Sequence, residues 1–144
     1  MREIICRPVK NREELLESFA LRKEIFVNEQ KLFKKNDRDK YDRCAIHIVA
    51  LYNNKVVGTV RVHKANDNIW FGSRLAVLKQ YRGRVGMLLI RKAVEIVKEN
   101  GAEKFMARIQ KKNVPLFKRL KWTPRGECFT YHGEPHQLME AKLN

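Results

Sequence analysis

The segment that most constrains the fold of this chain is Leu75–Met87, with the sequence LAVLKQYRGRVGM. It passes from an apolar, strand-like run through a turn rich in arginine and glycine. The next segment, Met87–Asn100, is predicted to be a helix, because its apolar residues recur on one face and Gly101 suits a C-terminal cap. Such a turn leaves unpaired backbone N–H groups at the positive end of the helix dipole. It suits a phosphate or pyrophosphate group, although similar turns also occur without a ligand.

The charge of the chain is concentrated around this turn. The 144 residues include 31 Lys+Arg and 16 Asp+Glu, which gives a formal net charge of +15. Residues 74–125 carry +12 of that excess, and Lys79, Arg82 and Arg84 lie in or beside the turn. An anionic ligand is therefore expected. Nucleic acid is an alternative partner, but no helix-turn-helix, zinc-finger spacing or RNP-type motif favours it.

Length and composition predict one domain spanning residues 1–144. A hydrophobic fraction of 44% argues against a disordered chain. No apolar run approaches the roughly 18–20 residues that span a bilayer, and the opening MREIICRPVK does not resemble a signal peptide. The cysteines, Cys6, Cys44 and Cys128, have neither zinc-ligand nor CxxC spacing. We therefore expect reduced thiols, no metal, no membrane association and a cytoplasmic location.

The order of predicted elements indicates an α/β (α+β) domain with a mixed sheet. Asn11 followed by Glu14 resembles a capping box at a helix start. The predicted elements are a strand at Ile4–Val9, one or two helices over 12–29, a polar loop at 31–43, a meander of strands at Ala45–Tyr52, Lys55–His63 and Ile69–Leu78, a strand at Lys104–Gln110, a short helix at 114–120, and a final hairpin of Phe129–His132 and His136–Leu143.

Four stretches, in this order, resemble the GNAT superfamily of acyl-CoA-dependent N-acyltransferases. They are LRKEIFVNEQ (21–30), VVGTVRV (56–62), RLAVLKQYRGRVGMLLIRKAV (74–94) and KKNVPLFKRLKW (111–122). The ending, GECFTYHGEPHQLMEAKL (126–143), resembles a branch associated with bacterial nitrilase gene clusters. The resemblance implies a single, mostly antiparallel sheet with a central parallel pair, flanked by helices. It also implies an N-acetyltransferase that uses acetyl-CoA and transfers the acyl group directly to a small-molecule or protein amine, without a metal. Many GNAT domains are dimers, so a homodimer is possible.

The resemblance also assigns roles in coenzyme A binding. Backbone groups of the fourth strand should bind the pantetheine arm, and N–H groups of the turn should bind the pyrophosphate. Asn113 should lie near the pantetheine or pyrophosphate, and Lys118 or Arg119 near the adenosine phosphate. The full set implied for coenzyme A is Leu75, Ala76, Val77, Arg82, Gly83, Arg84, Val85, Gly86, Met87, Asn113, Phe117 and Arg119.

Two departures from the family pattern affect this assignment. The turn Arg82–Gly86 is one residue shorter than the usual Arg-Gly-x-Gly-x-Gly and lacks its middle glycine. Phe117 occupies the position of the usual general-acid tyrosine, and a phenyl ring cannot protonate a thiolate. A coenzyme A-binding domain with weak or no catalysis is therefore an alternative.

The candidate catalytic side chains are Glu29, His63 and Tyr131. Glu29 ends the acceptor-side helix and is the leading candidate base, with a solvent-facing glutamate as the alternative. His63 shares a sheet face with Arg61, which would place both either in an acceptor cleft or on an exposed face. Tyr131 lies with two histidines at the final hairpin, where a structural role is the alternative. Asp37, Asp39 and Asp42 would either attract a cationic amine or remain solvated loop charges.

Overall fold

A seven-stranded sheet organises the chain in the computed structural model, which describes residues 3–144. The strand order is β1-β2-β3-β4-β5-β7-β6, and every neighbouring pair is antiparallel except β4 and β5. The predicted fold class, including its central parallel pair, is thereby confirmed. The strands are β1 Ile5–Pro8, β2 Ile46–Tyr52, β3 Lys55–Lys64, β4 Ile69–Val77, β5 Lys104–Gln110, β6 Thr123–Tyr131 and β7 Glu134–Glu140.

Helices cover both faces of this sheet. α1 spans Arg12–Arg22 and continues directly into a π-helical segment, Lys23–Glu29. α2 spans Arg84–Glu99, and α3 spans Val114–Arg119. Alternate residues of β2 pack into two separate apolar clusters, one with α2 and α3 and the other with α1 and the π-helical segment. Since neighbouring side chains of a strand point to opposite faces, α1 and α2 lie on opposite sides of the sheet.

Local signals explain several element boundaries. The β2–β3 turn places Asn53 and Asn54 at φ values of 53° and 65°, the left-handed pair that a tight hairpin turn requires. The side chain of Asn11 accepts a hydrogen bond from the N–H of Glu14, 2.9 Å away, and so caps α1. The carboxylate of Glu14 pairs with Arg7 at 2.7 Å, and this contact fastens α1 to β1.

The observed elements depart most from the predicted boundaries at the starts of α2 and β6, and β7 spans Glu134–Glu140 where His136–Leu143 was predicted. α2 begins at Arg84, three residues before the predicted start, because Gly83 with φ of 92° ends the preceding turn. β6 begins at Thr123, six residues earlier than predicted, and its register with β7 shifts between Arg125 and Phe129. Gly126, with φ of 71°, lies within that shift, so a bulge interrupts the pattern that a regular strand would show.

The polar segment 31–43 is mostly an exposed loop, as predicted, but its aspartates are not all solvated. It contains a 3₁₀ turn, Lys40–Arg43, and its Asp37 side chain is buried. Three aspartates of this segment pair with three arginines from α1, β3 and β4. We call this set of six side chains the Arg–Asp cluster: Arg22, Arg61, Arg74, Asp37, Asp39 and Asp42.

The Arg–Asp cluster is largely shielded from water. The side chains of Arg22 and Asp37 are each 1% exposed, and the Arg22 Nε to Asp37 Oδ2 distance is 2.7 Å. Arg22 also donates to Asp42 at 2.8 Å. Arg61, buried on β3, donates to Asp39 at 2.7 Å and to Asp42 at 2.8 Å. Asp37 and Asp42 are therefore shielded from water, and arginines engage all three carboxylates, contrary to both interpretations of the sequence.

We expect Asp37→Asn to destabilise the fold by about 3–5 kcal/mol, because it leaves buried arginines without their counter-charge. The free energy of unfolding in urea measures the effect. The matched control is Glu140→Gln, which removes the partner of Arg125 in a pair whose arginine is 52% exposed and should cost at most about 1 kcal/mol. Equal losses in the two variants would contradict a structural role for the Arg–Asp cluster.

Candidate functional site

A bulge in β4 shapes the centre of the sheet. Between the pairs Thr59–Ala76 and Arg61–Ser73, β3 contributes one residue, whereas β4 contributes Arg74 and Leu75. Arg74 has φ of 55°, a left-handed conformation that costs a non-glycine residue about 1–3 kcal/mol. Its guanidinium lies 3.2 Å from Asp39 and 4.7 Å from the centre of the Phe33 ring, so the Arg–Asp cluster holds the bulge in place.

β4 and β5 diverge just before this bulge. Their parallel pairing runs from Ile69–Lys104 to Gly72–Ala107 and ends there among the described residues. β5 continues against β7 up to the pair Gln110–His136. The later part of β4 therefore has no β5 partner among the described residues. Of the predicted pantetheine-binding residues, Leu75 lines the resulting opening, whereas the side chains of Ala76 and Val77 are buried.

A cleft of about 1090 Å³, including its open mouth, occupies this divergence. Its lining residues come from both faces of the sheet, so it passes between β4 and β5. Apolar lining residues on the α2 side include Ile90, Phe117 and Trp122. Residues from the opposite side include Phe26 and Phe33. Two ligands that approach from opposite faces can therefore meet inside the sheet.

The N-terminus of α2 provides a recess beside the same strand. Gly83 precedes the helix without a side-chain cap, and the first N–H groups of a helix have no intrahelical acceptor. Gly86 is buried, yet a Cβ placed on it would meet no heavy atom within 4 Å. Space is therefore open beside Gly86 at the N-terminus of α2, where the first backbone N–H groups and the positive end of the helix dipole lie. This arrangement fits a phosphate group.

The other residues predicted to contact coenzyme A lie in two places. Asn113 and Phe117 line the cleft, and the Phe117 ring packs edge-on against Trp122, with centroids 5.1 Å apart. Arg119 lies outside the cleft. It borders a separate basic groove between α2 and α3, together with Arg91, Lys121 and Lys142.

Glu29, the leading candidate base from the sequence, lies outside the cleft lining. Its carboxylate pairs with Arg82 at 2.7 Å, and both side chains are about 40% exposed. Arg82 also donates to the carbonyl of Val77 at 3.1 Å. The hydrogen bond and charge of Arg82 lower the pKa of Glu29, which makes its carboxylate a weaker base.

His63 lies within the cleft lining and is only 8% exposed. Its ring stacks on Tyr41 at 4.3 Å and faces Phe71 at 6.2 Å, and its Nδ1 has no hydrogen-bond partner. Burial, followed by the charge of Arg61, lowers the pKa of His63 and favours the neutral imidazole. A neutral imidazole with an unpaired nitrogen can accept a proton near neutral pH.

The β6–β7 hairpin adds polar groups to the cleft. Tyr131, His132 and His136 all line it. The Tyr131 ring meets both histidine rings edge-on, at 4.4 Å and 5.2 Å. His132 in turn packs against Phe33, with ring centroids 4.4 Å apart. The structure thus brings Tyr131 and His63, two of the three candidate catalytic residues, into one cleft.

Sequence reasoning missed the roles of Arg22, Arg74 and Arg108. Arg22 lies one helical turn before Phe26, a spacing that could have placed it on the buried face of α1. No local signal marks Arg74 as a bulge residue. Arg108 lies on β5 and lines the cleft. The alternating pattern of β5 predicts which face of the sheet carries Arg108, but it does not predict which residues of other strands lie beside it.

Two further observations concern the described part of the chain. Residues 3–144 contain no group of three or more His, Cys, Asp or Glu side chains arranged to hold a metal ion. Within the same residues, no helix combines the length and apolarity needed to cross a bilayer.

Comparisons with known proteins agree with this geometry. A model of the acetyltransferase (GNAT) family matches residues 12–122. The chain is 30% identical to the uncharacterized N-acetyltransferase YjcF of Bacillus subtilis, over 90% of this chain and 94% of YjcF. It is 29% identical to a B. subtilis protein described as the putative acetyltransferase BSU40680, over 92% of each chain. The crystal structure of Escherichia coli ElaA superposes with a TM-score of 0.85, 23% identity and coverage of 99% and 100% of the two chains.

The Arg–Asp cluster predicts how stability depends on pH. Burial opposes ionisation of Asp42, but hydrogen bonds and charge from Arg22 outweigh it and lower the Asp42 pKa. A carboxyl group whose pKa is lowered in the folded state stabilises the fold at pH values above its unfolded pKa of about 3.9. That stabilisation is lost as the pH falls below this value.

We expect Asp42→Asn to be less stable than the wild type at pH 7, and its free energy of unfolding to fall less steeply from pH 5 to pH 3. Asp67→Asn, in an exposed turn, should keep the wild-type slope. An unchanged slope in Asp42→Asn would contradict the prediction.

Proposed function

Because the chain belongs to the GNAT acetyltransferase family, we propose that this acyltransferase moves an acetyl group from acetyl-CoA to an amine. The amine attacks directly in a ternary complex. The observation that carries the proposal is the cleft between β4 and β5, whose lining residues come from both faces of the sheet and include Ile90 and Ala93 of α2. Donor and acceptor can enter from opposite faces and react where the strands diverge.

The coenzyme A moiety is proposed to follow the β4 side of the cleft. The N–H groups of Arg84, Val85 and Gly86 would bind its pyrophosphate at the positive end of α2. Backbone groups of Leu75–Val77 would bind the pantetheine, with Asn113 on the opposite wall. Arg119 and its basic groove would attract the adenosine phosphate. When bound, acetyl-CoA supplies the acyl group as an activated thioester.

His63 is proposed as the general base. In the overall reaction the amide C–N bond forms and the thioester C–S bond breaks. The ammonium acceptor loses two protons, of which one ends on the sulfur of coenzyme A and one in solvent. His63 lines the cleft with an unpaired nitrogen, and its lowered pKa keeps the imidazole neutral near pH 7, so that nitrogen is available to accept a proton from the amine. Glu29 is a weaker candidate because Arg82 occupies its carboxylate.

Tyr131 is proposed as the proton donor to the leaving sulfur. Phe117 lines the cleft without a hydroxyl, whereas Tyr131 lines it with one. If coenzyme A binds but acetyl-CoA releases no free thiol with any amine, the catalytically silent alternative is favoured instead.

Gly86 offers a direct test of donor binding. We expect Gly86→Ala to fold at least as stably as the wild type, because alanine is favoured over glycine in a helix and its Cβ meets no atom within 4 Å. The added methyl would enter the recess for the pyrophosphate and weaken acetyl-CoA binding about tenfold or more. Calorimetry measures the affinity and thermal unfolding measures the stability.

The control for the Gly86→Ala variant is Glu99→Ala. Glu99 lies at the opposite end of α2, so this variant should bind acetyl-CoA as the wild type does. Wild-type protein that shows neither calorimetric binding nor a thermal shift with acetyl-CoA would refute the proposed function. Full affinity in Gly86→Ala would refute the placement of the pyrophosphate.

Kinetic measurements on variants distinguish the two candidate bases, His63 and Glu29. We expect His63→Gln to lower kcat about 100-fold or more and to remove the acidic limb of the pH profile. In the wild type that limb should lie below about pH 6.5, because the His63 pKa is lowered from its usual value. Glu29→Gln should change kcat less than about fivefold, since it removes an exposed ion pair. The reverse ranking, with acetyl-CoA affinity and melting temperature unchanged in both, would assign the base to Glu29.

A further inference from the structure

The charges that line the cleft restrict its acceptor. Among the described lining residues, Asp39 is the sole carboxylate, whereas Arg61, Arg74 and Arg108 are cationic. Asp39 is already engaged by Arg61 at 2.7 Å and by Arg74 at 3.2 Å. No lining carboxylate is therefore left to pair with a second ammonium group, which disfavours polyamines as acceptors.

Arg108 differs from the other two arginines. Arg61 and Arg74 belong to the Arg–Asp cluster, which neutralises their charge. Arg108 is exposed on β5, and none of the ion pairs among the described residues includes it. Its guanidinium lies 5.0 Å from the centre of the Phe71 ring. A guanidinium on an aromatic face keeps its hydrogen-bonding edge free, and that edge matches a carboxylate in a bidentate pair.

His63 and Arg108 flank the same ring. His63 on β3 is the cross-strand partner of Phe71 on β4, and their ring centroids lie 6.2 Å apart. The charge of Arg108 contributes to the lowered pKa of His63, in agreement with their proximity. His63 is also the buried group whose Nδ1 has no partner in the cleft. A small ligand can therefore present one group to the imidazole and another to the guanidinium.

We propose that the acceptor is a free amino acid or a closely similar small amine that carries a carboxylate. Arg108 binds the carboxylate, and His63 faces the amine and takes up its proton. This inference rests on the proposed acyltransferase function and narrows its acceptor class. It disfavours protein lysines, because the carboxyl group of a residue within a chain is part of a peptide bond and offers no carboxylate to Arg108.

The test compares three acceptor forms with acetyl-CoA. Each L-amino acid is assayed for thiol release beside its amide and its decarboxylated amine. We expect kcat/KM of the wild type to favour the preferred amino acid over both neutral forms by about 10- to 100-fold, the value of a charge-assisted hydrogen-bond pair. Arg108→Met should abolish that preference mainly through KM, while it keeps an apolar side chain against Phe71. Arg108→Lys should restore part of it.

The control is Lys104→Met, which removes the same charge from β5 at a position outside the described cleft lining. It should keep the wild-type preference and so exclude a general effect of net charge. Equal activity on amino acids and their amides, or retention of the preference in Arg108→Met, would overturn the inference and leave the acyltransferase function intact.

A binding measurement decides the inference even without turnover. If no amine is acylated although acetyl-CoA binds, the proposed catalysis fails. Calorimetry with N-acetyl amino acids and their neutral methylamides then tests the carboxylate site directly. Binding of the acids to wild-type protein and Lys104→Met, with loss in Arg108→Met, supports the inference. Equal binding of acids and methylamides, or no binding of either, overturns it.

Discussion

The Arg–Asp cluster is the interaction on which the rest of the architecture depends. It joins α1, β3, β4 and the segment 31–43 through pairs of guanidinium and carboxylate groups that are mostly withdrawn from water. Its formal charges balance, and its members satisfy one another's hydrogen bonds. A buried group of this kind need not add net stability over apolar residues, but the loss of one partner is costly because it leaves an uncompensated charge. The cluster thus fixes the position of the elements that meet at it.

One consequence is local and concerns the central strand. Arg74 belongs to the cluster and also adopts the left-handed conformation at the bulge of β4. Ion pairs from segment 31–43 hold that residue in a conformation that an arginine would not otherwise favour. The bulge lies just beyond the last pair between β4 and β5, and bulges bend the strands that contain them. The residues of the Arg–Asp cluster therefore also help to separate β4 from β5 and so to form the cleft.

The basic residues of the chain fall into groups that differ in location and in role. Part of the positive charge is neutralised inside the Arg–Asp cluster and carries no field toward a partner. Another part borders the N-terminus of α2 and the groove around Arg119, where it can meet phosphate groups. Arg108 is the cation of the cleft without a carboxylate partner among the described residues. The net charge of +15 is thus the sum of groups with different roles.

Elements with strong local signals were predictable from the sequence. β5 has the predicted bounds, Lys104–Gln110, because its residues alternate between apolar and polar. Gly101 follows α2 with φ of 82°, the conformation for which glycine is suited at a helix end. The start of α2 and the beginning of β6 were predicted less well, since glycines with positive φ lie at both places. The position of β7 between β5 and β6 follows from pairing, which no local pattern encodes.

By itself, the sequence determined the strand, turn and helix that surround the proposed phosphate site, because residues close in the chain specify that unit. It also determined the face of β3 that carries Arg61 and His63. Only the tertiary structure decided which charged side chains are neutralised and which are free. Arg74 finds its partner Asp37 across 37 residues of sequence, and Arg82 finds Glu29 across 53. Whether a charge is buried, paired or open to a ligand depends on such distant neighbours, and only the folded chain brings them within hydrogen-bond distance.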